Sequence, residues 1–328
     1  MSNATVSRLG LVDNTGTDFD ALFLKVFSGE VLTAFTRNNI FNEQLHSVRT
    51  ITSGKSAQFP VLGTATASFH TPGNLLTGGN QIRHGERVIS IDDLLVADVF
   101  VSRLEELKNH YDIRASYADE LGKAIAKTYD ENVSKMIAQA SRASSTLTGI
   151  AGGLTLTLAN GNTASSDVTG DEIAAAIYDI AQTFDERDIP PTDRFCVLPP
   201  AEYYKLAESA TRTVNVDFNP GGGNGSFASG AVQQVAGIPI MKSNNIPQSN
   251  RSAASGENNA YNGDDSKTIG LVFHKSAVGT VKLMDMTTEI TGQDYATMYQ
   301  GTLMVAKYAL GHGILRPEAA ATIKLSAS

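Results

Sequence analysis

Between residues 103 and 142 the apolar side chains keep step for longer than a compact globule of this size accommodates. Leu107, Tyr111, Ala118, Leu121, Ile125, Tyr129, Val133, Met136 and Ala140 advance 33 residues, the 3.6-residue period of one helical face. A helix over that whole span would be about 60 Å long. A compact chain of 328 residues would have a diameter of only around 50 Å. An unbroken helix therefore predicts a fold that is not a sphere. The alternative is a break in its first third, for which Asp112-Ile113-Arg114 is the candidate position.

Composition narrows the partners. Lys and Arg total 26 against 34 for Asp and Glu, a formal charge of −8, so tight gripping of nucleic acid, which needs clustered cations, is not expected. Charged residues are 18% of the chain, low for the surface of a monomer, which predicts surface buried against other subunits. The lone Cys196 excludes an internal disulfide framework and a cysteine-rich zinc site, and suits a reducing compartment. The N-terminal residues lack the basic-then-apolar order of a secretory signal. The longest apolar stretch, Leu94 to Val101, is interrupted by Asp98 and is far shorter than the roughly 20 residues of a membrane helix. A soluble intracellular product without membrane contact is expected.

Around the long helix the chain divides into recognisable parts. Residues 1–17 are polar and turn-rich and read as a mobile arm. From Thr17, with Asp18 and Asp20 favouring a helix start, Phe19, Leu22, Val26 and Phe35 form one apolar row and Leu24, Phe27 and Val31 a second. That excess apolar circumference fits a core helix or a helix lying against another protein, and on the second reading Phe19, Leu22, Phe23, Val26 and Phe27 are candidate inter-subunit contacts. Residues 55–101 hold three β-rich runs, at 58–62, 87–91 and 94–101; between Gly63 and Gly85 the one formal charge is Arg83. So long a connection without a core pattern predicts a projecting β-hairpin flap.

Residues 144–167 are expected to be loop or weak hairpin. Thr169 and Glu172 then form a capping box, with Ile173, Ile177, Ile180 and Phe184 on one helical face. A short buried strand at 194–198 and a helix led by Pro199-Pro200 complete a separate α/β subdomain. Glycine- and asparagine-rich stretches at 219–230 and 243–266 read as loops, and strands are expected near 268–273, 279–290, 298–310 and 321–325.

No active site assembles from these parts. Ser53-Gly54-Lys55-Ser56 resembles the end of a phosphate-binding loop, but Arg49 stands where that motif needs glycine. The run Gly223-Asn224-Gly225-Ser226-Phe227-Ala228 follows proline and glycines rather than a strand, so it reads as a flexible loop. The six histidines, His46, His70, His84, His110, His274 and His312, show no metal-pair spacing. Gly311-His312-Gly313 reads as a tight turn with a hydrogen-bonded histidine, Cys196 as an inert thiol, and the acid pairs Asp92-Asp93 and Asp264-Asp265 as solvated turns. No cofactor, metal or catalytic residue is assigned.

Six long segments resemble one family in order and over nearly the whole chain. They are LFLKVFSGEVLTAF (22–35), SGKSAQFPVLG (53–63), DDLLVADV (92–99), NHYDIRASYADELG (109–122), HKSAVGTVKL (274–283) and AKYALGHGILRPEAA (306–320). The family is the major capsid proteins of short-tailed bacteriophages of the autographivirus (podophage) group. The resemblance implies an α+β fold of the Hong Kong 97 type. Its parts would be an N-terminal arm with an amphipathic helix at 1–54, an extended β-hairpin loop at 55–102, and a peripheral domain with its spine helix at 103–168. An axial domain at 169–270 and return strands at 271–328 complete it.

The function so implied is structural: self-assembly as hexamers and pentamers into an icosahedral head enclosing double-stranded DNA without sequence-specific binding. It also implies scaffolding protein and portal as assembly partners, assembly in the host bacterial cytoplasm and residence in the virion. A cellular nanocompartment shell of the same fold and a soluble α/β enzyme are the alternatives. Some shells of this class are welded by an isopeptide bond from a loop lysine. Here no lysine lies between Lys55 and Lys108, so a non-covalent shell is expected, with Arg83 and Arg87 reaching an adjacent subunit.

Overall fold

Helix α1 covers Arg114–Ala140, and every described member of the periodic row, Ala118 through Ala140, is buried. The computed structural model describes residues 31, 33–34, 39–41, 44–65, 67, 69–75, 82–103, 114–145, 147, 149–158, 164–208, 225–226, 231–232, 234–251 and 261–326. Leu107 and Tyr111 lie outside them, as do Asp112 and Ile113 of the candidate break, whose third residue Arg114 opens α1, and the arm with Phe19, Leu22, Phe23, Val26 and Phe27. Val31, Thr33 and Ala34 are helical.

The chain divides into two compact units. The first comprises Met1–Ile40, Asp93–Tyr129 and Met284–Leu310. In it strand β4 (Leu95–Ser102) lies antiparallel to a later strand, Gly301–Ile314, in the register Ser102 to Gly301 through Leu95 to Tyr308. This corrects one expectation: the third β-rich run does not continue the flap but belongs to a different sheet. The Tyr129 ring of α1 stacks on Tyr308 with centroids 6.2 Å apart. Met298 is not in a strand. It lies in a short helix, Gln293–Tyr299, that ends at Gln300 in the left-handed region.

The second unit comprises Phe41–Asp92, Asp130–Leu283 and Gly311–Ser328. Strand β1 (Ser47–Thr50) runs parallel to Gly279–Lys282. Among the described residues, strands β2 (Ser56–Leu62) and β3 (His84–Ser90) pair only with each other. Its largest sheet has six strands. Taking β5 as Leu154–Thr157, β6 as Arg194–Leu198, β7 as Gln234–Val235, β8 as Ile238–Lys242, β9 as Thr268–His274, β10 as Val278–Ile290, β11 as Gly301–Ile314 and β12 as Ala320–Lys324, its order is β5-β12-β9-β6-β8-β7.

Helix α2 (Gly170–Glu186) starts at the full capping box: Glu172 N–H donates to Thr169 Oγ1 at 3.4 Å, and Thr169 N–H to Glu172 Oε2 at 2.9 Å. Its row Ile173, Ile177, Ile180 and Phe184 is fully buried, as the period dictates. Helix α3 spans Pro200–Glu208. β5 corrects the loop or weak hairpin expected there: Leu154–Thr157 is a strand, and it joins the distant β12 in a parallel pair; four residues are too few to declare such a strand from pattern alone. Two further expectations fail for a common reason, burial supplied by distant segments. His312 lies inside β11 rather than in a turn. Asp265 is 0% exposed rather than solvated, its carboxylate held by Arg142 at 2.7 Å and by Arg251.

Candidate assembly surface

The β2–β3 ribbon is built so that only its base belongs to the core of its own chain. Ala57 and Ile89 face each other in register, are both buried, and pack with Ile91, Val281 and Leu315. Gly313 carries no side chain because Ile89 approaches it: a Cβ there would stand 2.7 Å from Ile89 Cγ1. Two further contacts fix the base: Ile91 N–H donates to Lys55 O at 2.9 Å, and Arg49 Nη1 donates to Gln58 O at 2.9 Å while lying over the Phe59 ring. The loop-like Ser53-Gly54-Lys55-Ser56 segment is thus a turn at the ribbon's root, with Gly54 at φ +113°.

Beyond the base, alternate residues of both strands, Gln58, Pro60 and Leu62 against Val88, Glu86 and His84, are exposed. Leu62, Phe69, Leu75, Ile82 and Val88 are exposed large apolar residues, with Phe69 107% and Leu75 86% accessible. A two-stranded ribbon alone is at best marginally stable in water. Burying a Leu or Phe side chain is worth about 1.5–3 kcal/mol, so this segment gains most by packing against something else. Pro60 removes one ladder donor, which confines β2 to an edge position. In the first unit, β4 likewise leaves Val96 and Phe100 exposed at the edge of its sheet.

Of the candidate residues, Arg83 is exposed at the ribbon's end, where its backbone carbonyl accepts from Gly63 N–H at 2.8 Å. Arg87 is half-buried and sits in register opposite Phe59. Sequence reasoning named the two arginines and missed the apolar residues between them and the base. The signal available was Leu62, Phe69, Leu75 and Ile82 inside a segment with a single formal charge.

The chemistry elsewhere is that of a packed interior. Among the described residues, no group of three metal-ligating side chains could hold an ion, and no helix is long and apolar enough to cross a membrane. Cys196 is buried in β6, and burial pushes its thiol up to about 12, which removes the thiolate that reactivity needs. His312 Nδ1 is 2.8 Å from Thr280 Oγ1, and its backbone N–H donates to Tyr261 Oη at 3.1 Å. Tyr261 in turn donates its hydroxyl proton to Asp92, so Asp92 too is engaged rather than simply solvated.

Comparison with known proteins gives a consistent picture. The Gp10A-like major capsid protein family matches residues 58–324. The major capsid protein of Escherichia phage T7 is 36% identical over 333 aligned residues, covering 92% of this chain and 91% of that protein. The capsid structure of Cyanophage P-SCSP1u superposes with a TM-score of 0.81 at 49% identity over 100% of both chains. The mature capsid of bacteriophage PhiM1 shares the fold, with a TM-score of 0.73 at 21% identity over 89% and 88% of the two chains.

Proposed function

The chain belongs to the Gp10A-like family of major capsid proteins and is a structural shell protein of the short-tailed phage type, and we propose that its copies associate as hexamers and pentamers in an icosahedral head around double-stranded DNA. The observation that supports this reading most is the solitary β2–β3 ribbon, anchored at Ala57 and Ile89 and apolar beyond its anchor. In the proposed division, residues 1–54 form the arm and its helix, 55–102 the extended loop (the β2–β3 hairpin) followed by β4 of a different sheet, 103–168 the peripheral domain with α1, 169–270 the axial domain and 271–328 the return strands. Phe19, Leu22, Phe23, Val26 and Phe27 on one side, and Arg83 and Arg87 on the other, contact neighbouring subunits. Assembly proceeds in the host cytoplasm with a scaffolding protein and a portal. The net charge of −8 keeps the wall from adhering tightly to the DNA it contains. The role is mechanical, without catalysis.

The shell so formed is non-covalent. An isopeptide weld needs an amine that can lose its proton, and beyond Lys55 at its root the ribbon offers guanidinium groups, which stay charged. Boiling purified particles in detergent and reductant should release one band at the monomer mass, and the double substitution Arg83→Ala with Arg87→Ala should lower the temperature at which shells dissociate. A ladder of covalent oligomers, or shells indifferent to the double substitution, would contradict the respective assignments.

A further inference from the structure

In the second unit, an open cleft of about 540 Å³ is lined by Gln139 in the last turn of α1 and Arg142 just past its end, by Asn262, Gly263 and Asp264, and by Lys324 at the end of β12. Its charges are unequal. Arg142, Arg251 and Lys324 gather round Asp264 and Asp265, a surplus of one positive charge (three minus two) in a chain of net −8.

Of the two carboxylates, Asp265 is committed through both oxygens and Asp264 through one. Asp265 is fully buried and gives one oxygen to Arg142 and the other to Arg251. Asp264 turns its Oδ1 to the Ser266 N–H at 3.1 Å and the Ser266 hydroxyl at 2.7 Å, and Ser266 holds its carboxyl below the usual carboxylate range.

The cations, by contrast, have donors in reserve. Arg142 spends Nη1 on Asp265 Oδ1 at 2.7 Å and on Asp264 O at 2.6 Å. Its Nη2 lies beside Gly263, where a Cβ would come within 2.7 Å of it. Among the described residues, Lys324 Nζ donates to Asp264 O alone, at 3.4 Å. Partial burial, and then the nearby Arg142, hold the Lys324 ammonium below its ordinary range. Two like charges that discourage each other, each with unspent N–H donors on one open cleft, are stabilised by a small oxyanion accepting from both.

We propose that this cleft binds a phosphate group between Arg142 and Lys324. The chemistry is shared by free phosphate and by a nucleic-acid phosphodiester. The site stands independently of the shell reading, because its residues all lie within one unit of a single chain.

Phosphorus NMR of inorganic phosphate titrated with the full-length chain at fixed ionic strength tests it. Saturable broadening at one site per chain is expected, weakened by at least about tenfold in Lys324→Met, the scale of a lost charge-assisted hydrogen bond, and largely kept in Lys324→Arg. Lys324→Gln serves in place of Lys324→Met if the latter does not fold. A short DNA oligonucleotide that displaces the phosphate identifies the phosphodiester as a source; failure to displace identifies the free anion. No saturation with the folded wild-type chain, or equal broadening with the neutral Lys324 variants, would overturn the site.

Discussion

His312 shows how much a single residue's meaning depends on what folds against it. Its ring is 0% exposed in β11, with the titratable neighbours His46 and Tyr261 and, through Tyr261, Asp92. Burial first, and His46 second, hold its pKa well below the ordinary 6.5. In the unfolded chain the ring titrates near about 6.5. As pH falls through that value the unfolded state takes up a proton that the native state refuses, so stability is lost on acidification. The urea midpoint should fall between about pH 7 and 5, and His312→Gln should flatten that slope while lowering the midpoint at neutral pH; an unchanged slope would remove His312 from the account. The flanking Gly311 and Gly313 read as turn residues in the sequence. Ile89, 224 residues before Gly313, is what requires Gly313 instead.

At the scale of elements, what could be read early was what repeats locally. The α1 row, the Thr169–Glu172 capping box and the α2 face all lie within a few residues of their own determinants, and all appear in the fold. β5, the sheet partner of β4 and the burial of Asp265 were illegible for the opposite reason. Arg142 and Asp265 are separated by 123 positions, and no window on the sequence contains both. The periodic row also concealed Asp130, 0% exposed inside α1, whose carboxylate accepts Phe41 N–H at 3.1 Å. The exposed apolar residues of the β2–β3 ribbon were visible as letters but not as a surface, because pattern alone does not show which side of a strand is covered. Ile125 and Met136 are 1% and 4% exposed, so Ile125→Asp or Met136→Asp should each cost several kcal/mol through an unpaired buried charge. Thermal melting reads this directly: soluble variants with the wild-type midpoint would mean that the buried face of α1 has been misassigned.

At the scale of the whole molecule, the low charge fraction and the exposed apolar residues of the β2–β3 ribbon are awkward for a chain that acts alone. They are consistent for a subunit of an assembly. Apolar surface such as Phe69 and Leu75, a liability in a dispersed monomer, becomes interface when many copies close on one another. Similarity to capsid proteins runs over nearly the full chain, so the structural role rests on the entire fold and not on one motif. Electron microscopy of the purified full-length protein tests this most directly. Closed shells are expected, with each β2–β3 ribbon lying against a neighbouring subunit and Phe69 and Leu75 covered there. Dispersed folded monomers at assembly concentrations, or shells in which the ribbons stand free in solvent, would contradict it.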